Sequence, residues 1–563
     1  MIFAEWQGGE LITVTCSPRD RDMIRSVPGA LYDRAGFWTV PLGWGSCLAL
    51  RGVFGQELEV GPNLNLWAFQ KRADQEQLEQ IKAGRITLGA LDERLRPKQR
   101  AGVTFLRAAG AVILADEMRA GKTPQTISAV RHADALPCLI VAPNSVLLQW
   151  RDEIENWWPG RRVSVIAGTA KQREAAMVPG FDFYLIGWAN VWRHSRLSPY
   201  GSTALSETER KEGLLNALGF KAVIADEAHR ALNPKAKQTR ALWYLMHRSE
   251  YRFALTGTPV RNDGPEDVWA IGHLVAPEDY PRRSAFIDRY ALSGSNGFGF
   301  EVFGWNQTTK EEALAVLDTH LLRRTYAEVF PDTPEWAPPD VRKLQLTGKQ
   351  AKAYKEMQKH MMTLLESGVL LTGDPLVKMG RLSQIAAAMP VLDAEGNVTE
   401  LEEPSAKIDA LLEILGELPG DSLVVFAQSR KLIELTSRVL TRHKISHGMI
   451  TGPTPMAERK LAVDRFQAGE IQVILATMGA GAEGLTLNRA NRILFLQRSF
   501  SLTENIQAEA RIGGMAQTRP MQCIDLVCEG TMDAAVLEAV FAKEQNLQDV
   551  VRDPGWIRRQ LSV

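Results

Sequence analysis

The sequence predicts an α/β protein with two parallel-sheet domains, a helical segment between them and a small α+β module in front. Short apolar runs alternate with amphipathic helical segments in two separate stretches, which is typical of parallel sheets covered by helices. At 563 residues the chain is too long for one core, and three or four domains are expected. The layout is therefore duplicated, and two similar halves often share a ligand.

Composition excludes several protein classes. Hydrophobic residues make up 45% and charged residues 23%, as in an ordinary globular protein. Lys plus Arg equals Asp plus Glu at 66 each, so a nucleic-acid partner must be held by a local basic track. Cys523 and Cys528 lie in an apolar run that predicts a buried strand rather than a zinc site. With no signal-peptide pattern and no window of roughly 18 apolar residues, a soluble cytoplasmic protein without membrane contact is expected.

The α+β module is predicted for residues 1–62. "GGELITVTC" indicates a strand, "RDRDMIRSVP" a short helix, and "GALYDRAGFWTVPL" a hairpin that turns at Ala35 and Gly36. Residues 63–92 are polar and predict a helical linker.

The first α/β domain is predicted for residues 93–278, with the buried strands "GAVILA", "PCLIVAP", "FDFYLIGW", "FKAVIADEA" and "YRFALTGTP". A mostly helical insert is expected over 279–400. The second α/β domain, 401–563, has the candidate strands "DSLVVFAQ", "HGMITG", "IQVILAT", "NRILFLQ" and "MQCIDLVCEG". At its end, "PGWIRRQLSV" is either a brace or a basic contact.

A phosphate-binding loop is predicted at "LADEMRAGKTPQT", between a strand and a helix. The loop departs from the Walker A pattern, because Asp116 stands where the first glycine belongs and Arg119 is a bulky cation. Gly121 lets the backbone approach phosphates, Lys122 reaches the β and γ oxygens, and Thr123 holds Mg²⁺. Taken alone, the segment also fits an ordinary strand-loop-helix turn.

A pair of carboxylates follows another buried strand, in "KAVIADEAH". Asp226 is expected to bind Mg²⁺ through water, and Glu227 to polarise an attacking water. Acidic residues at a strand end also serve as helix caps. Two such motifs in the right order, each after a buried strand, nevertheless favour a nucleotide site.

These motifs make the chain resemble the Swi/Snf-type superfamily 2 helicase-like ATPases, which translocate on double-stranded DNA. The resemblance runs from Leu95 to about Asp533 and includes "LRPKQRAGVTFL", "ALTGTPVRN", "LLRRTYAEVF", "TMGAGAEGLTLNRANRILFLQ" and "QAEARIGGMAQ". It implies two RecA-like domains, ATP and Mg²⁺ as cofactors, DNA as partner, and an arginine pair, Arg323 and Arg324, at the interdomain crossover.

The resemblance also assigns roles to individual residues. It implies catalytic roles for Lys122, Asp226, Glu227 and Arg511, and magnesium binding by Thr123 and Asp226. Nucleotide contacts are implied for Gln99, which would meet adenine, and for Gly121, Lys122, Thr123, Thr126 and Gly484. Coupling of hydrolysis to domain movement is implied for His229, Thr256, Gly257, Thr258 and Gln507, and DNA contact for Ser145 and Thr477.

The "QAEARIGGMAQ" segment departs from the family pattern Q-A-x-x-R-x-x-R-x-G-Q. Gly514 replaces the second arginine, the family's arginine finger, and Ala516 replaces the glycine. A trans-acting finger is worth about 10³ to 10⁵ in rate. Arg511, Arg519 and Arg119 are the candidate replacements, and the sequence does not choose among them.

The N-terminal segment "SVPGALYDRAGFWTVPL" resembles the HARP-type domain of the annealing-helicase branch, which binds branched DNA. The alternative is a generic hairpin with Phe37 and Trp38 in its core. Arg25 and Arg34, with Arg19 and Arg21, are candidate phosphate contacts or simply a solvated face.

The sequence therefore predicts a monomeric, ATP- and Mg²⁺-dependent double-stranded DNA translocase that remodels or anneals branched DNA. The alternative is an ATP-gated clamp on branched DNA that hydrolyses little because residue 514 is glycine. An RNA-directed ATPase is disfavoured by the "LRPKQ" and "LTGTPVRN" segments.

Overall fold

The computed structural model describes residues 2–201, 204–260, 264–295, 300–334, 336–366, 375–394, 397–481, 485–514 and 517–551. The chain divides into two compact units: the second is Phe330–Gln545, and the first contains the residues up to Val329 together with those from Asn546 onward. Each unit contains its own parallel sheet. Among the described residues, none of the helices has both the length and the apolar character that crossing a membrane requires.

The first unit begins with a five-stranded sheet of order β3-β4-β2-β1-β5. Its strands are β1 Ile2–Trp6, β2 Leu11–Thr15, β3 Leu31–Tyr32, β4 Trp38–Pro41 and β5 Leu58–Val60. Its helices are α1 Arg21–Arg25, α2 Trp44–Phe54 and α3 Pro62–Lys82. The predicted strand, short helix and hairpin are confirmed, whereas β1, α2 and β5 were missed. The sequence of α2 contains two glycines, Gly45 and Gly52, and no helix was predicted for it, but Ala49, Leu50 and Phe54 turn one face of this helix into the core of the module.

The second sheet of this unit has seven strands in the order β14-β6-β11-β10-β7-β9-β8, and every pairing is parallel. The strands are β6 Ala111–Leu114, β7 Cys138–Ala142, β8 Val163–Ile166, β9 Phe183–Gly187, β10 Ala222–Asp226, β11 Tyr251–Leu255 and β14 Leu321–Leu322. The five predicted strands are confirmed because they are buried on both faces and so form continuous apolar runs. The edge strand β8 alternates half-buried and buried residues, and this weaker pattern was missed.

Helices cover this sheet and link its strands. They are α4 Pro97–Ala109, α5 Lys122–Ala133, α6 Leu147–Trp157, α7 Ala170–Ala176, α8 Trp188–Val191, α9 Glu207–Arg210, α10 Lys237–Met246, α11 Pro265–Val275, α12 Arg283–Tyr290, α13 Lys310–His320 and α14 Tyr326–Val329. Pro124 lies in the first turn of α5, where its missing N–H costs no helical hydrogen bond.

The stretch 279–400, expected to be mostly helical, also contains strands. The pairs β12 Ala291–Ser295 with β13 Phe300–Trp305, and β16 Met389–Leu392 with β17 Val398–Glu402, form antiparallel hairpins. Strand β14 joins the first parallel sheet and β15 Asp340–Leu344 the second. The sequence missed them because such short, partly exposed strands show little periodicity. The limits at residues 278 and 400 stay predictions.

The second unit holds a six-stranded parallel sheet of order β15-β22-β21-β18-β20-β19. Its remaining strands are β18 Leu423–Ala427, β19 His447–Ile450, β20 Val473–Thr477, β21 Arg492–Phe495 and β22 Gln522–Cys528, all five of which were predicted. Its helices are α15 Gly348–Glu366, α16 Pro375–Ala387, α17 Ala406–Glu417, α18 Arg430–Arg442, α19 Met456–Ala468, α20 Met478–Gly481, α21 Leu502–Glu509 and α22 Met532–Val551. Cys523 and Cys528 are buried in β22, as predicted.

Candidate functional site

The loop between β6 and α5 depends on Gly121. This residue is the N-cap of α5 and has φ +79°, in the left-handed region that favours glycine. A Cβ atom here would lie 2.2 Å from Nε2 of Gln99. That amide nitrogen donates to the Ala120 carbonyl at 3.0 Å, while the Gln99 Oε1 accepts from the Arg96 N–H at 2.9 Å. Gln99 is therefore bonded to the loop itself, and its contact with a nucleotide base stays a prediction.

The ammonium of Lys122 is folded against its own loop. Its Nζ donates to the carbonyls of Asp116 at 2.7 Å and Glu117 at 3.2 Å. Burial lowers the pKa of Lys122, and the carboxylates of Glu227, Asp116 and Asp226 oppose this shift. The structure thus brings Lys122 within electrostatic reach of both predicted catalytic carboxylates.

The two carboxylates lie at the carboxyl edge of the parallel sheet, where β10 ends. Asp226 Oδ2 accepts from the indole Nε1 of Trp150 at 2.8 Å, and Oδ1 accepts from the Glu227 N–H at 3.0 Å. Burial, and then the neighbouring Glu227 carboxylate, raise the pKa of Asp226 to about 6. Trp150 is buried, and its indole N–H orients the carboxylate for which a catalytic role is predicted.

The residues expected to couple hydrolysis to movement form a chain of contacts beside Glu227. Glu227 has φ +54°, and one of its carboxylate oxygens lies 3.3 Å from Nδ1 of His229. The same ring nitrogen lies 3.4 Å from the Thr256 hydroxyl, which accepts the Thr258 N–H at 3.1 Å. A Cβ on Gly257 would approach Met118 of the phosphate loop to 3.1 Å. The loop after β11 therefore contacts both the phosphate loop and the carboxylate pair.

A buried ion pair takes the place of the missing Walker A glycine. Asp116 is fully buried, and its two carboxylate oxygens accept from Nε and Nη2 of Arg324, the former at 2.9 Å. Nη2 of Arg324 also donates to Gln125 Oε1 at 2.6 Å, and Nη1 donates to the Lys98 carbonyl. Gln125 in turn donates to Asp116 Oδ2 at 3.1 Å and to the Gly121 carbonyl at 3.0 Å. The sequence signals were the anomalous Asp116 and the Arg323-Arg324 pair, but their partnership was not predicted.

The neighbouring Arg323 joins the same region through the backbone. Its Nη1 donates to the carbonyls of Ala115 at 2.9 Å and Gly257 at 3.1 Å. In addition, the Ala115 N–H donates to the Leu322 carbonyl and the Glu117 N–H to the Arg324 carbonyl, both within hydrogen-bond distance. Residues 322–326 thus bind along the start of the phosphate loop.

Three other predicted residues of this unit are placed differently from one another. Thr123 is half-buried in the first turn of α5. The Thr126 hydroxyl donates to the Lys122 carbonyl at 2.7 Å and is buried within the helix. Ser145 is exposed in the short 3₁₀ turn that follows β7, at the same sheet edge as Asp226.

The donor set at this edge suits magnesium. Mg²⁺ is commonly held by one or two carboxylates together with substrate phosphates rather than by a protein cage. Among the described residues there is no group of three or more His, Cys, Asp or Glu side chains that could hold a metal by itself. Burial and the adjacent Glu227 carboxylate both raise the pKa of Asp226, and a bound cation would favour the ionised form of this carboxylate. Thr123 and Asp226 are the residues that would hold it.

In the second unit, Arg511 is held by backbone carbonyls. Its Nε donates to the Gln507 carbonyl at 2.9 Å and its Nη1 to the Leu485 carbonyl at 3.3 Å. Gly514 has φ +120°, a conformation that residues with side chains rarely adopt. Thr477 ends β20 at the carboxyl edge of its sheet. The predicted nucleotide contact Gly484 lies outside the described residues.

Arg519, another candidate replacement for the finger, lies at the opposite edge of this sheet. Its Nη2 donates to the Arg489 carbonyl at 2.6 Å, and its Nη1 lies 3.5 Å from a carboxylate oxygen of Asp421. Asp421 and Arg489 precede β18 and β21, so these contacts mark the amino edge. Ligands of parallel sheets bind at the carboxyl edge, which makes Arg519 a poor replacement.

The N-terminal module carries a cluster of cations and aromatic rings. The Arg21 guanidinium lies 5.6 Å from the ring centre of Tyr32, and that of Arg25 lies 5.9 Å from Trp38. The two rings are 5.3 Å apart. Trp38 is buried and Tyr32 is exposed, while Arg25 and Arg34 are exposed. Of the two interpretations, Trp38 does belong to the core of the module, and it also supports exposed arginines.

Comparison with protein families decides the wider identity. Residues 98–387, just over half of the chain, match the model of the SNF2-related domain. The chain belongs to the SNF2-related family. Residues 406–515 match the helicase conserved C-terminal domain. Together these are the two helicase-like ATPase domains, so the Swi/Snf-type resemblance is confirmed, and the ion pair of Asp116 and Arg324 lies within the SNF2-related match.

Individual relatives agree with this assignment. The chain is similar to the chromatin structure-remodeling complex subunit snf21 of Schizosaccharomyces pombe, with 27% identity over 465 residues, which are 78% of this chain and 37% of the relative. It is equally similar, at 27% over 485 residues, to the putative ATP-dependent helicase/translocase YwqA of Bacillus subtilis, covering 82% of this chain and 49% of the relative. The chain thus spans between about a third and half of the length of these SNF2-related relatives.

Among solved structures, the SWI2/SNF2 ATPase core of Sulfolobus solfataricus in complex with dsDNA aligns with 81% of this chain and 92% of that chain. Sequence identity is 24% and the TM-score is 0.36.

Proposed function

We propose that this SNF2-related protein is an ATP- and Mg²⁺-dependent translocase on double-stranded DNA that acts on branched or forked substrates. The observation that carries this proposal is the convergence of Lys122, Asp226 and Glu227 beside the phosphate loop. A cation and two carboxylates at the carboxyl edge of a parallel sheet are the groups that nucleotide hydrolysis requires. We further propose that the protein acts as a monomer in the cytoplasm.

Each residue has a defined task in this scheme. Lys122 would leave its two loop carbonyls and bind the β and γ phosphate oxygens, and the N–H groups at the start of α5 would stabilise the same charge. Glu227 would accept a hydrogen bond from the attacking water and orient it. Magnesium, held by Thr123 and Asp226, would neutralise charge on the phosphates. His229 would sense the state of Glu227 directly, and Thr256 would do so through its contact with His229, which it passes on to Thr258.

The preference for branched DNA rests on the N-terminal module. Exposed cations beside aromatic rings suit a partner that offers both phosphates and unstacked bases, as a DNA junction does. Arg25 and Arg34 would contact the phosphates there, and Ser145 and Thr477 would contact the backbone of the duplex. The name of the Bacillus subtilis relative, a putative helicase/translocase, supports the motor activity.

The proposal is tested by measuring steady-state ATP hydrolysis without DNA, with duplex DNA and with a model fork. We expect fork DNA to stimulate hydrolysis, and Lys122→Ala to reduce the stimulated rate by about 10² to 10³, the cost of losing one charge-stabilising donor. Arg85→Ala, at an exposed position outside the site, is the control and should hydrolyse normally. Hydrolysis that persists in Lys122→Ala would contradict the assignment of this loop.

A second function is favoured by one observation, the glycine at position 514. Without an arginine there, the protein would bind ATP and forked DNA while hydrolysing little, as an ATP-gated clamp. The same assay separates the two, because a clamp shows ATP-dependent fork binding in a mobility-shift experiment without stimulated hydrolysis.

A further inference from the structure

The N-terminal module contains an open cavity that lies away from its cluster of cations and rings. The cavity has a volume of about 170 Å³ and lies between α2 and α3, over the strands β1 and β5. Its wall is mostly apolar, with Ala4, Leu48, Leu50, Leu58, Val60, Leu64, Ala68 and Phe69. We call this cavity the α2/α3 notch.

Apolar side chains continue from the α2/α3 notch onto the surface of α3. Phe69, which lines it, is 72% exposed, and Leu66, one helical turn before, is 67% exposed. On a helix, residues three apart are neighbours on the surface, so these two form one patch. Large apolar side chains exposed next to a cavity are typical of a binding surface.

Two arginines stand at the notch. Arg72 lies with its guanidinium 5.9 Å from the ring centre of Trp44, and Arg51 donates from Nη1 to the Gly55 carbonyl at 2.9 Å. Within the described ranges, neither forms an ion pair with a carboxylate. Their positive charges are therefore available to an acidic partner, beside a wall that is apolar.

The volume limits what can enter. Sites for drug-sized ligands usually have about 300 to 1,000 Å³, whereas a cavity of about 150 Å³ holds a single benzene ring. The notch thus admits one large side chain and is too small for a whole nucleotide.

The charge of the occupant follows from the two arginines. The chain's own C-terminal sequence, "PGWIRRQLSV", offers a tryptophan but carries two further cations, which Arg51 and Arg72 would repel. A carboxylate on each side of the inserted side chain would instead pair with them. An amphipathic helix that presents an apolar anchor is a common way to meet such a groove.

We propose that the α2/α3 notch is a docking site for a partner protein, which inserts one large apolar side chain flanked by Asp or Glu. The contact recruits the motor through its N-terminal module. It does not depend on nucleotide, so it stands or falls independently of the proposed ATPase activity.

The test is selection of a random dodecapeptide phage library on the full-length protein, followed by anisotropy measurements with the enriched peptides. We expect enriched peptides to share a Trp, Phe or Leu with neighbouring Asp or Glu. Ala68→Trp, which fills the notch, and Arg72→Glu, which reverses one charge without touching the core, should each weaken binding by about tenfold or more.

Arg85→Glu is the matched charge-reversal control, because Arg85 is exposed just beyond the end of α3. It should bind the peptides normally, and thermal unfolding should show that all three variants are folded. The proposal is overturned if no peptides are enriched, or if they bind Arg72→Glu as well as the parent. Binding of a single-stranded oligonucleotide that Ala68→Trp loses and Arg85→Glu keeps would assign the notch to nucleic acid instead.

Discussion

The two parallel sheets of this protein are built alike but use their buried charges differently. In the first unit, Lys122, Asp116, Asp226 and Arg324 surround a glycine-dependent loop, and each is held by groups that belong to the loop or to its neighbours. In the second unit, the buried charges fasten helices to the sheet. The buried charges of the first sheet thus surround the predicted nucleotide site, whereas those of the second sheet hold helices in place.

Two buried cations, Arg498 and Lys407, hold helices of the second unit against its sheet. Arg498, which follows β21, donates to Asp525 Oδ1 and to Glu509 Oε1, both at 2.6 Å, and so links α21 to β22. Although burial opposes it, the Glu509 and Asp525 carboxylates raise the pKa of Arg498. Lys407, fully buried in α17, donates to the Leu496 carbonyl and lies 2.7 Å from Asp533 of α22. Because Arg498 and Lys407 are engaged within their unit, the comparison predicts that catalysis depends on the first unit, on Arg511 and on what residue 514 supplies.

Restoring an arginine at position 514 has the largest expected effect on this comparison. The finger arginine contributes about 10³ to 10⁵ in rate in related phosphoryl transfers. Because φ at Gly514 is +120°, a side chain strains the backbone and part of that gain is lost. We expect Gly514→Arg to hydrolyse ATP at least about tenfold faster than Gly514→Ala, which carries the same strain without the charge. Equal rates in the two variants would show that another cation already serves.

Weakening one buried ion pair in each unit tests whether the two units use their buried charges differently. Arg324→Lys and Arg498→Lys both keep the charge and lose the bidentate geometry, at a cost of about 3 kcal/mol in unfolding free energy. Because Arg324 binds the phosphate loop through Asp116 and Gln125, Arg324→Lys should also weaken ATP binding. Arg498→Lys should leave ATP binding unchanged.

Denaturant unfolding and a titration with fluorescent ATP check both parts. Arg94→Lys, on an exposed ion pair of the first unit, is the control. Equal ATP affinity in Arg324→Lys and in the parent would mean that the ion pair holds the fold alone.

The smallest expected effect is a loss of stability at mildly acidic pH, and it concerns only the first unit. His247 and His273 are half-buried, with ring nitrogens 2.8 Å from the His273 carbonyl and 2.6 Å from the Tyr280 carbonyl, respectively. Burial lowers the pKa of His247 to about 3 and of His273 to about 4. The unfolded chain takes up protons first as the pH falls below about 6.5, so stability is complete above that pH and declines toward the folded pKa values.

We expect the two histidines together to cost about 1 to 2 kcal/mol of stability at pH 6, and more at lower pH. All but two of the 14 tryptophans lie in residues 1–329, so tryptophan fluorescence follows this unit. The double variant His247→Gln, His273→Asn keeps a donor at each position and should flatten the dependence. If the stability of the parent protein is unchanged from pH 7 to pH 5, the predicted role of the two histidines is wrong.

Much of this protein could be predicted from sequence because its strands are buried on both faces. Ten candidate strands were placed correctly by their apolar runs, and the Gly121-Lys122-Thr123 and Asp226-Glu227 motifs fell at strand ends as expected. The strands β8, β14 and β15 were missed because edge and two-residue strands lack that continuous pattern. Helix α2 was missed because its glycines weaken the helical signal.

The sequence by itself determined the α/β class, the position of the phosphate loop and the departure at Gly514, since these depend on local pattern and spacing. Only the tertiary structure decided that Asp116 pairs with Arg324 across more than 200 residues, that Trp150 orients Asp226, and that Arg519 lies at the wrong sheet edge. Such partnerships depend on which strand ends the fold brings together, and sequence spacing carries no record of that.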